Sequence, residues 1–132
     1  VLEVVAGSGY NAAIMAQLCK FVYAAEIVPG LVEFAKENLS KDGVKNVKVI
    51  YCDGSKGYKS EAPYNKIIVT AACPEIPKLL VEQLKENGRI IAPVGTSLHQ
   101  EMFLGVKKNG KLKLESLGYF SFVPLRGEFG SK

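Results

Sequence analysis

The N-terminal part of the chain carries the pattern that most restricts its fold. An apolar run over residues 1–5 leads into the turn Ala6-Gly7-Ser8-Gly9, then a helix-forming stretch, then a second apolar run that ends at Glu26. The glycines let the backbone pass close to a ligand, and the start of the helix offers unpaired N–H groups. This order predicts half of a nucleotide-binding fold with an adenosine-containing cofactor as its ligand.

Composition limits the class of protein. The 132 residues fit one compact domain, 1–132, and are too few for two. The 17 Lys and Arg exceed the 13 Asp and Glu, but they are spread along the chain and form no basic stripe. We therefore expect no nucleic-acid partner. No apolar run approaches the roughly 20 residues that span a bilayer, so we expect no membrane association.

The three cysteines, Cys19, Cys52 and Cys73, lie far apart without CxxC spacing. This pattern favours free thiols in a reducing compartment over a disulfide framework or a zinc site, so we expect a cytoplasmic protein without a metal. Export is not expected, because the chain starts without a basic and apolar leader. Residue 1 is a valine already inside a predicted strand, and we expect the domain to be truncated at its N-terminus.

Apolar runs and helical periodicities alternate along the next hundred residues. Asn11 is the predicted cap of a first helix ending near residues 19–20, Pro29 opens a second that stops at Gly43, and Pro77 opens a third that stops at Asn87-Gly88. Further strands are predicted at 47–51, 67–71 and 89–94. The run 67–71 is continuously apolar, which is typical of the buried centre of a parallel sheet.

The end of the chain follows a different pattern. Extended segments at 102–106 and 112–117 are joined through Lys108-Asn109-Gly110-Lys111, and Asn-Gly is a strong hairpin signal. We therefore predict an α/β fold with a doubly wound, mostly parallel Rossmann-like sheet, closed by a C-terminal antiparallel hairpin. Such a hairpin is typical of S-adenosylmethionine-dependent methyltransferases, whereas the sheets of nicotinamide-dependent oxidoreductases continue with parallel crossovers.

Ligands of open parallel sheets bind beyond the carboxyl ends of the strands. Glu26 follows the second strand at close to the roughly 20-residue offset of a ribose-binding carboxylate, without a neighbouring Arg or Lys for a 2'-phosphate. Asp53 follows the third strand and can accept a hydrogen bond from an adenine amino group. Each carboxylate alone is more simply a solvated loop residue, but two at successive strand ends favour ligand contact. The glycine loop adds less, because it matches only the Gly/Ala form of the dinucleotide fingerprint.

Several segments together resemble one known family, protein-L-isoaspartate O-methyltransferase. The resemblance runs through the whole chain and rests on Leu2-Glu3, the stretch 7–13, Val22-Tyr23, the stretch 26–29, Asp53-Gly54-Ser55-Lys56-Gly57-Tyr58, Ala62-Pro63-Tyr64, the stretch 67–72, Gly88-Arg89, the stretch 92–95 and Phe122-Val123-Pro124-Leu125-Arg126-Gly127. It implies an enzyme that uses S-adenosylmethionine to methylate the free carboxylate of isoaspartyl residues in damaged proteins, the first step of their repair.

The resemblance also implies two sets of site residues. For the cofactor they are Glu3, Gly7, Ser8, Gly9, Glu26, Ile27, Asp53 and Gly54; for the substrate they are Val69, Thr70, Ala71, Ala72, Val123, Leu125 and Arg126. A carboxylate with a pKa near 4 is already ionised at neutral pH, so methylation requires alignment and exclusion of water more than a general base. The resemblance implies isoaspartyl proteins or peptides as the partners of this chain. We expect a monomer, although a first strand without covering helices would expose apolar surface and favour association.

Two departures from the family pattern qualify the expected activity. The family has glycine at the position of Val5, and its upstream helical segment with a Ser/Thr lies before residue 1, so no catalytic residue is assignable here. A valine side chain would push into the tight turn or the cofactor site. The alternative is therefore a truncated methyltransferase-fold module without turnover, which binds cofactor or a partner only.

Overall fold

A computed structural model describes residues 1–96 and 98–131 as a seven-stranded sheet flanked by helices. The strands are β1 (Leu2–Val4), β2 (Val22–Glu26), β3 (Val47–Tyr51), β4 (Tyr64–Val69), β5 (Leu84–Gly95), β6 (Gln100–Lys108) and β7 (Lys111–Phe120). The α-helices are α1 (Tyr10–Ala16), α2 (Pro29–Lys41) and α3 (Lys78–Gln83), and two short 3-10 turns lie at Gly54–Lys56 and Lys59–Glu61.

The strand order is β3-β2-β1-β4-β5-β6-β7. Strands β1 to β5 pair in parallel, and β6 and β7 add an antiparallel pair at one edge. The chain progresses outward from β1 in one direction and from β4 in the other, so the sheet has a topological switch point between these two strands. This topology confirms the predicted fold class.

The sheet is covered by two apolar layers. One contains α1 and α2, with Ala12, Val32 and Ala35 packed against β2 and β3. The other contains Leu80 of α3 and Leu125 of the C-terminal segment, packed against β1, β4 and β5. Right-handed crossovers that run in opposite directions place their helices on opposite faces, which explains this division. Within 1–96 and 98–131, no helix has the length and apolar character needed to cross a membrane.

The first helix differs from its prediction. It begins at Tyr10, is capped by Gly9 at φ 87, and ends at Ala16. Asn11 therefore lies inside the helix and is not its cap. The left-handed backbone at Gly9 provides the turn that a capping side chain would otherwise support.

The second helix matches its prediction, but the third is shorter than predicted. Helix α3 ends at Gln83, because Leu84 already pairs with Tyr64 of β4. The Asn-Gly pair predicted to stop the helix lies within β5 instead, where Asn87 has a φ of 66. A shift in register between Tyr64 and Lys66 accommodates this irregular start of β5.

The closing hairpin is confirmed and is longer than predicted. Asn109 and Gly110 both have positive φ, at 53 and 77, which is the type I′ geometry that favours Asn-Gly.

An apolar groove of about 380 Å³ lies near the amino ends of the central strands, between α1 and residues such as Ile68, Arg89 and Leu104. This groove lies away from the carboxyl ends of the strands, where the ligand is expected.

Candidate functional site

Glu3 lies in the middle of β1, beside the switch point of the sheet, and its side chain is fully buried. Its Oε2 accepts a hydrogen bond from Asn11 Nδ2 at 2.8 Å, whereas its Oε1 has no hydrogen-bond partner in the part of the chain that the structure describes. Burial, helped by the nearby charge of Glu26, raises the pKa of Glu3 to about 7 against the lowering effect of the Asn11 hydrogen bond. Among residues 1–96 and 98–131, the site therefore contains a buried carboxylate without a cationic partner.

Glu26 ends β2 and is also buried, 3% exposed. Its Oε1 accepts a hydrogen bond from the Gly7 N–H at 2.8 Å, and its Oε2 accepts from the N–H groups of Ile27 and Val28 at 3.0 and 3.1 Å. The carboxylate thus joins the glycine turn to the end of β2. Each carboxylate oxygen can accept more than one donor, so these contacts leave capacity for ribose hydroxyls.

Val5 has a φ of 81, a left-handed conformation that is strained for a β-branched residue. Three surrounding contacts hold it there. The N–H groups of Val5 and Ala6 both donate to Ala25 O at 3.0 Å, and Thr70 Oγ1 donates to Val5 O at 2.8 Å. The structure thus shows that this position has a backbone conformation that favours glycine.

Asp53 follows β3 and caps the 3-10 turn that begins at Gly54. Its Oδ1 accepts from Ser55 N at 3.0 Å and from Ser55 Oγ at 2.6 Å, and its Oδ2 accepts from the distant Glu128 N–H at 2.9 Å. Burial works to raise the pKa of Asp53, but the hydrogen bonds from Ser55 and Glu128 outweigh it and hold the pKa below its usual range. Asp53 is therefore a well-ionised acceptor.

The two segments assigned to the substrate meet by backbone pairing. Ala72 pairs with Pro124 in a parallel bridge, with Ala72 N donating to Val123 O and Leu125 N donating to Ala72 O, both at 2.7 Å. Leu125 is buried beneath this contact, whereas Val123 and Arg126 are exposed. The remaining residues of the first segment, Val69, Thr70 and Ala71, lie at the carboxyl end of β4 beside the cofactor residues.

Two other side chains with reactive groups, Cys73 and Lys56, make contacts that indicate structural roles. Cys73 is buried, donates to Pro93 O at 3.2 Å, and has a pKa that burial raises to about 11, so it is a filler and not a nucleophile. Lys56 pairs with Glu128 at 2.6 Å in a half-exposed ion pair. No cluster of three or more His, Cys, Asp or Glu that could hold a metal ion occurs among residues 1–96 and 98–131.

The sheet brings the predicted cofactor residues together. Glu26 lies near enough for its charge to raise the pKa of Glu3, and Gly54 lies so close to β1 and β2 that an added Cβ would be 2.9 Å from Val4 and 3.4 Å from Ala25. Sequence reasoning missed Asn11, Ser55 and Gly127 as residues that contact this site. Their signals were weak, because Asn11 contacts Glu3 from the following helix, Ser55 also accepts from the distant Phe129 N–H, and Gly127 lies against the distant Asp53.

A doubly wound sheet with a glycine turn after β1, carboxylates after β2 and β3, and a closing antiparallel hairpin defines a protein of the S-adenosylmethionine-dependent methyltransferase fold. The model of the protein-L-isoaspartate(D-aspartate) O-methyltransferase family matches residues 1–130. The chain belongs to this family.

Relatives agree with this assignment. A protein-L-isoaspartate O-methyltransferase from Pyrococcus horikoshii is 55% identical over 133 residues, covering 98% of this chain and 60% of the relative. Protein-L-isoaspartate O-methyltransferase 2 from Archaeoglobus fulgidus is 47% identical, covering 100% of this chain and 62% of the relative. The chain thus spans about three fifths of the length of these curated relatives.

Solved structures agree as well. One protein-L-isoaspartate O-methyltransferase superposes with a TM-score of 0.91 at 34% identity, covering 98% of this chain and 42% of the other. A Plasmodium falciparum structure of the same description, in complex with S-adenosyl-L-homocysteine, has a TM-score of 0.80 at 30% identity, covering 95% of this chain and 64% of the other.

Proposed function

We propose that this chain forms the cofactor-binding domain, 1–132, of an enzyme that transfers a methyl group from S-adenosylmethionine to the free carboxylate of L-isoaspartyl residues in damaged proteins. The buried Glu3 carboxylate with its unpartnered Oε1 carries the proposal. A buried carboxylate with one oxygen unpartnered among the described residues is costly, so its presence at a switch point indicates a site for a positively charged ligand.

The residues present fit the cofactor. S-adenosylmethionine carries an ammonium and a sulfonium, both positive, and three carboxylates, Glu3, Glu26 and Asp53, lie at this edge of the sheet. In this proposal, Glu3 accepts hydrogen bonds from the ammonium group of the cofactor. Glu26 accepts from the ribose hydroxyls, and Asp53 accepts from the adenine amino group. The turn that contains Gly7, Ser8 and Gly9, together with Ile27 and Gly54, supplies the backbone walls for the same ligand.

When bound, the cofactor supplies an electrophilic methyl group on a positively charged sulfur. The chain's own residues then bind and orient the acceptor. Val69 to Ala72 and the exposed Val123 lie where an isoaspartyl side chain would enter. The Ala72 and Leu125 N–H groups are already used in pairing the two segments, so the exposed Arg126 guanidinium is the group that would hold the acceptor carboxylate.

The experiment that tests this function is isothermal titration calorimetry with S-adenosylhomocysteine, with NAD as the control ligand. Micromolar binding of S-adenosylhomocysteine alone supports the cofactor assignment. Binding of NAD alone would instead support the oxidoreductase class. A peptide containing L-isoaspartate and its aspartyl twin then test the reaction, and label transfer from S-adenosylmethionine to the first alone supports the proposed substrate.

One observation favours a second candidate, a module that binds cofactor or a partner without turnover. Val5 has a β-branched side chain in a strained left-handed conformation, immediately before the turn that the cofactor must approach. Binding of S-adenosylhomocysteine without label transfer to any isoaspartyl peptide would support this candidate over the enzyme.

We also infer a cytoplasmic location and a monomeric state. The location is supported by the three cysteines, which are all free thiols, since disulfides are rare in a reducing compartment. Sedimentation velocity tests the monomer, and a dimer at micromolar concentration would contradict it.

A further inference from the structure

The C-terminal loop, residues 123–130, is attached to the turn after β3. The Glu128 N–H donates to Asp53 Oδ2 at 2.9 Å, and the Phe129 N–H donates to Ser55 Oγ at 3.1 Å. The Lys56 and Glu128 side chains add an ion pair at 2.6 Å on the outside of the same contact. Two successive backbone N–H groups of the loop thus bind side chains about 75 residues earlier in the chain.

Gly127 permits this close approach. Its φ is +128, and an added Cβ would lie 2.0 Å from Asp53 Oδ1 and 2.6 Å from Ser55 Oγ. A side chain at this position would displace the Asp53 carboxylate. The absence of a side chain therefore allows the loop to lie directly against Asp53.

The loop is also attached, through Leu125, to the segment that follows β4. Leu125 N donates to Ala72 O at 2.7 Å, Ser131 N donates to Leu125 O at 2.8 Å, and Ser131 Oγ donates to Ala72 O at 3.2 Å. The loop therefore has two attachments. The one at Ala72 lies on the substrate side of the proposed site, and the one at Asp53 lies on its cofactor side.

We propose that Asp53 is a positioning residue that fixes the substrate-binding loop relative to the cofactor site. This inference rests on the proposed function for the roles of the two sides, but the contact itself does not. Asp53 Oδ2 accepts one N–H of the loop, and a carboxylate oxygen has room for a second donor. The same oxygen that receives the adenine amino group thus also holds the loop that carries Val123 and Arg126.

A backbone contact of this kind is tested by hydrogen exchange of the Glu128 and Phe129 N–H groups, measured by NMR without any ligand. The variants are Asp53→Asn, Ser55→Ala and Gly127→Ala. The control is Gly110→Ala, because Gly110 also has positive φ but an added Cβ meets nothing within 4 Å. We expect the three variants to exchange these protons about tenfold faster than wild type, with the control unchanged. Unchanged exchange in the three variants would overturn the proposal.

Kinetics separate positioning from a merely structural role. For Ser55→Ala and Gly127→Ala we expect KM for an isoaspartyl peptide to rise about tenfold while kcat stays within about twofold. A fall in kcat with unchanged KM would indicate a loss of folded protein or of a transition-state contact, and would contradict positioning of the substrate-binding loop. If wild type transfers no methyl group, the proposed function fails, and hydrogen exchange still decides whether Asp53 holds the loop.

Discussion

Asn11 Nδ2 donates to Glu3 Oε2 at 2.8 Å, and this bond from helix α1 to strand β1 is the single hydrogen bond that the Glu3 carboxylate receives within the described residues. It orients the carboxylate with its Oε1 still unpartnered. Burial raises the pKa of Glu3 to about 7 against the lowering effect of this bond, so the ionisation of Glu3 affects stability close to neutral pH.

The first prediction concerns stability and pH. Because the folded pKa of Glu3 lies above its ordinary value of 4.5, the folded state binds the proton more tightly, and stability falls as pH rises from about 4.5 to about 7. Glu3→Gln removes this dependence. The free energy of unfolding of the variant minus that of wild type should increase by about 3 kcal/mol over that range in urea titrations. A difference that stays constant with pH would contradict the assigned pKa.

The second prediction concerns cofactor affinity. The ionised form of Glu3 attracts an ammonium group and the protonated form does not, so binding of S-adenosylhomocysteine should tighten by about tenfold from pH 6 to pH 8. Calorimetry of Glu3→Gln provides the control, for which we expect weaker binding that hardly changes with pH. Equal pH profiles for the two proteins would remove Glu3 from the cofactor site.

The third prediction concerns Val5. Val5→Gly relieves the strain of a β-branched residue at φ 81. Glycine also increases the conformational entropy of the unfolded chain, which offsets part of this gain. The free energy of unfolding should therefore rise by about 1 kcal/mol. Binding of S-adenosylhomocysteine should also tighten. Val28→Gly is the matched control, because Val28 has an ordinary φ of −94, and it should lower stability. Stabilisation by both substitutions would contradict the interpretation that the backbone of Val5 is strained.

The fourth prediction concerns the packing of β6 against α3. Lys107 Nζ donates to Val81 O at 2.9 Å and to Leu84 O at 2.8 Å, so it binds carbonyl groups at the end of the helix. Lys107→Met keeps the apolar stem and loses both bonds, and should lower the free energy of unfolding by about 2 kcal/mol. Lys113→Met on the exposed neighbouring strand is the control, with a change near zero. Equal losses at both positions would contradict this account.

The sheet and its switch point were predictable because their signals are local. Apolar runs, helix starts at proline and the Asn-Gly turn each depend on a few neighbouring residues. The role of Asn11 was not predictable in this way. The Asn11 amide donates to the buried Glu3 carboxylate, eight positions earlier in the chain, and Gly9 takes the capping position that was predicted for Asn11.

The contact between Asp53 and the C-terminal loop was hidden for a related reason. Its donors are backbone N–H groups, which every non-proline residue has, so the sequence at 128–129 shows no pattern for them. Only Gly127 gives a trace, and a glycine near the C-terminus has many simpler explanations. Glu26 and Asp53 were predicted because strand ends mark the ligand side of a parallel sheet, whereas Glu3, inside β1, was predicted only through the family resemblance.

The most direct test of the proposed function is transfer of a labelled methyl group from S-adenosylmethionine to a peptide that contains one L-isoaspartyl residue, with the aspartyl peptide of the same sequence beside it. We predict label on the isoaspartyl peptide alone, in a base-labile ester, and less label with Arg126→Ala. Label on neither peptide, while S-adenosylhomocysteine still binds, would contradict the enzymatic function of this chain.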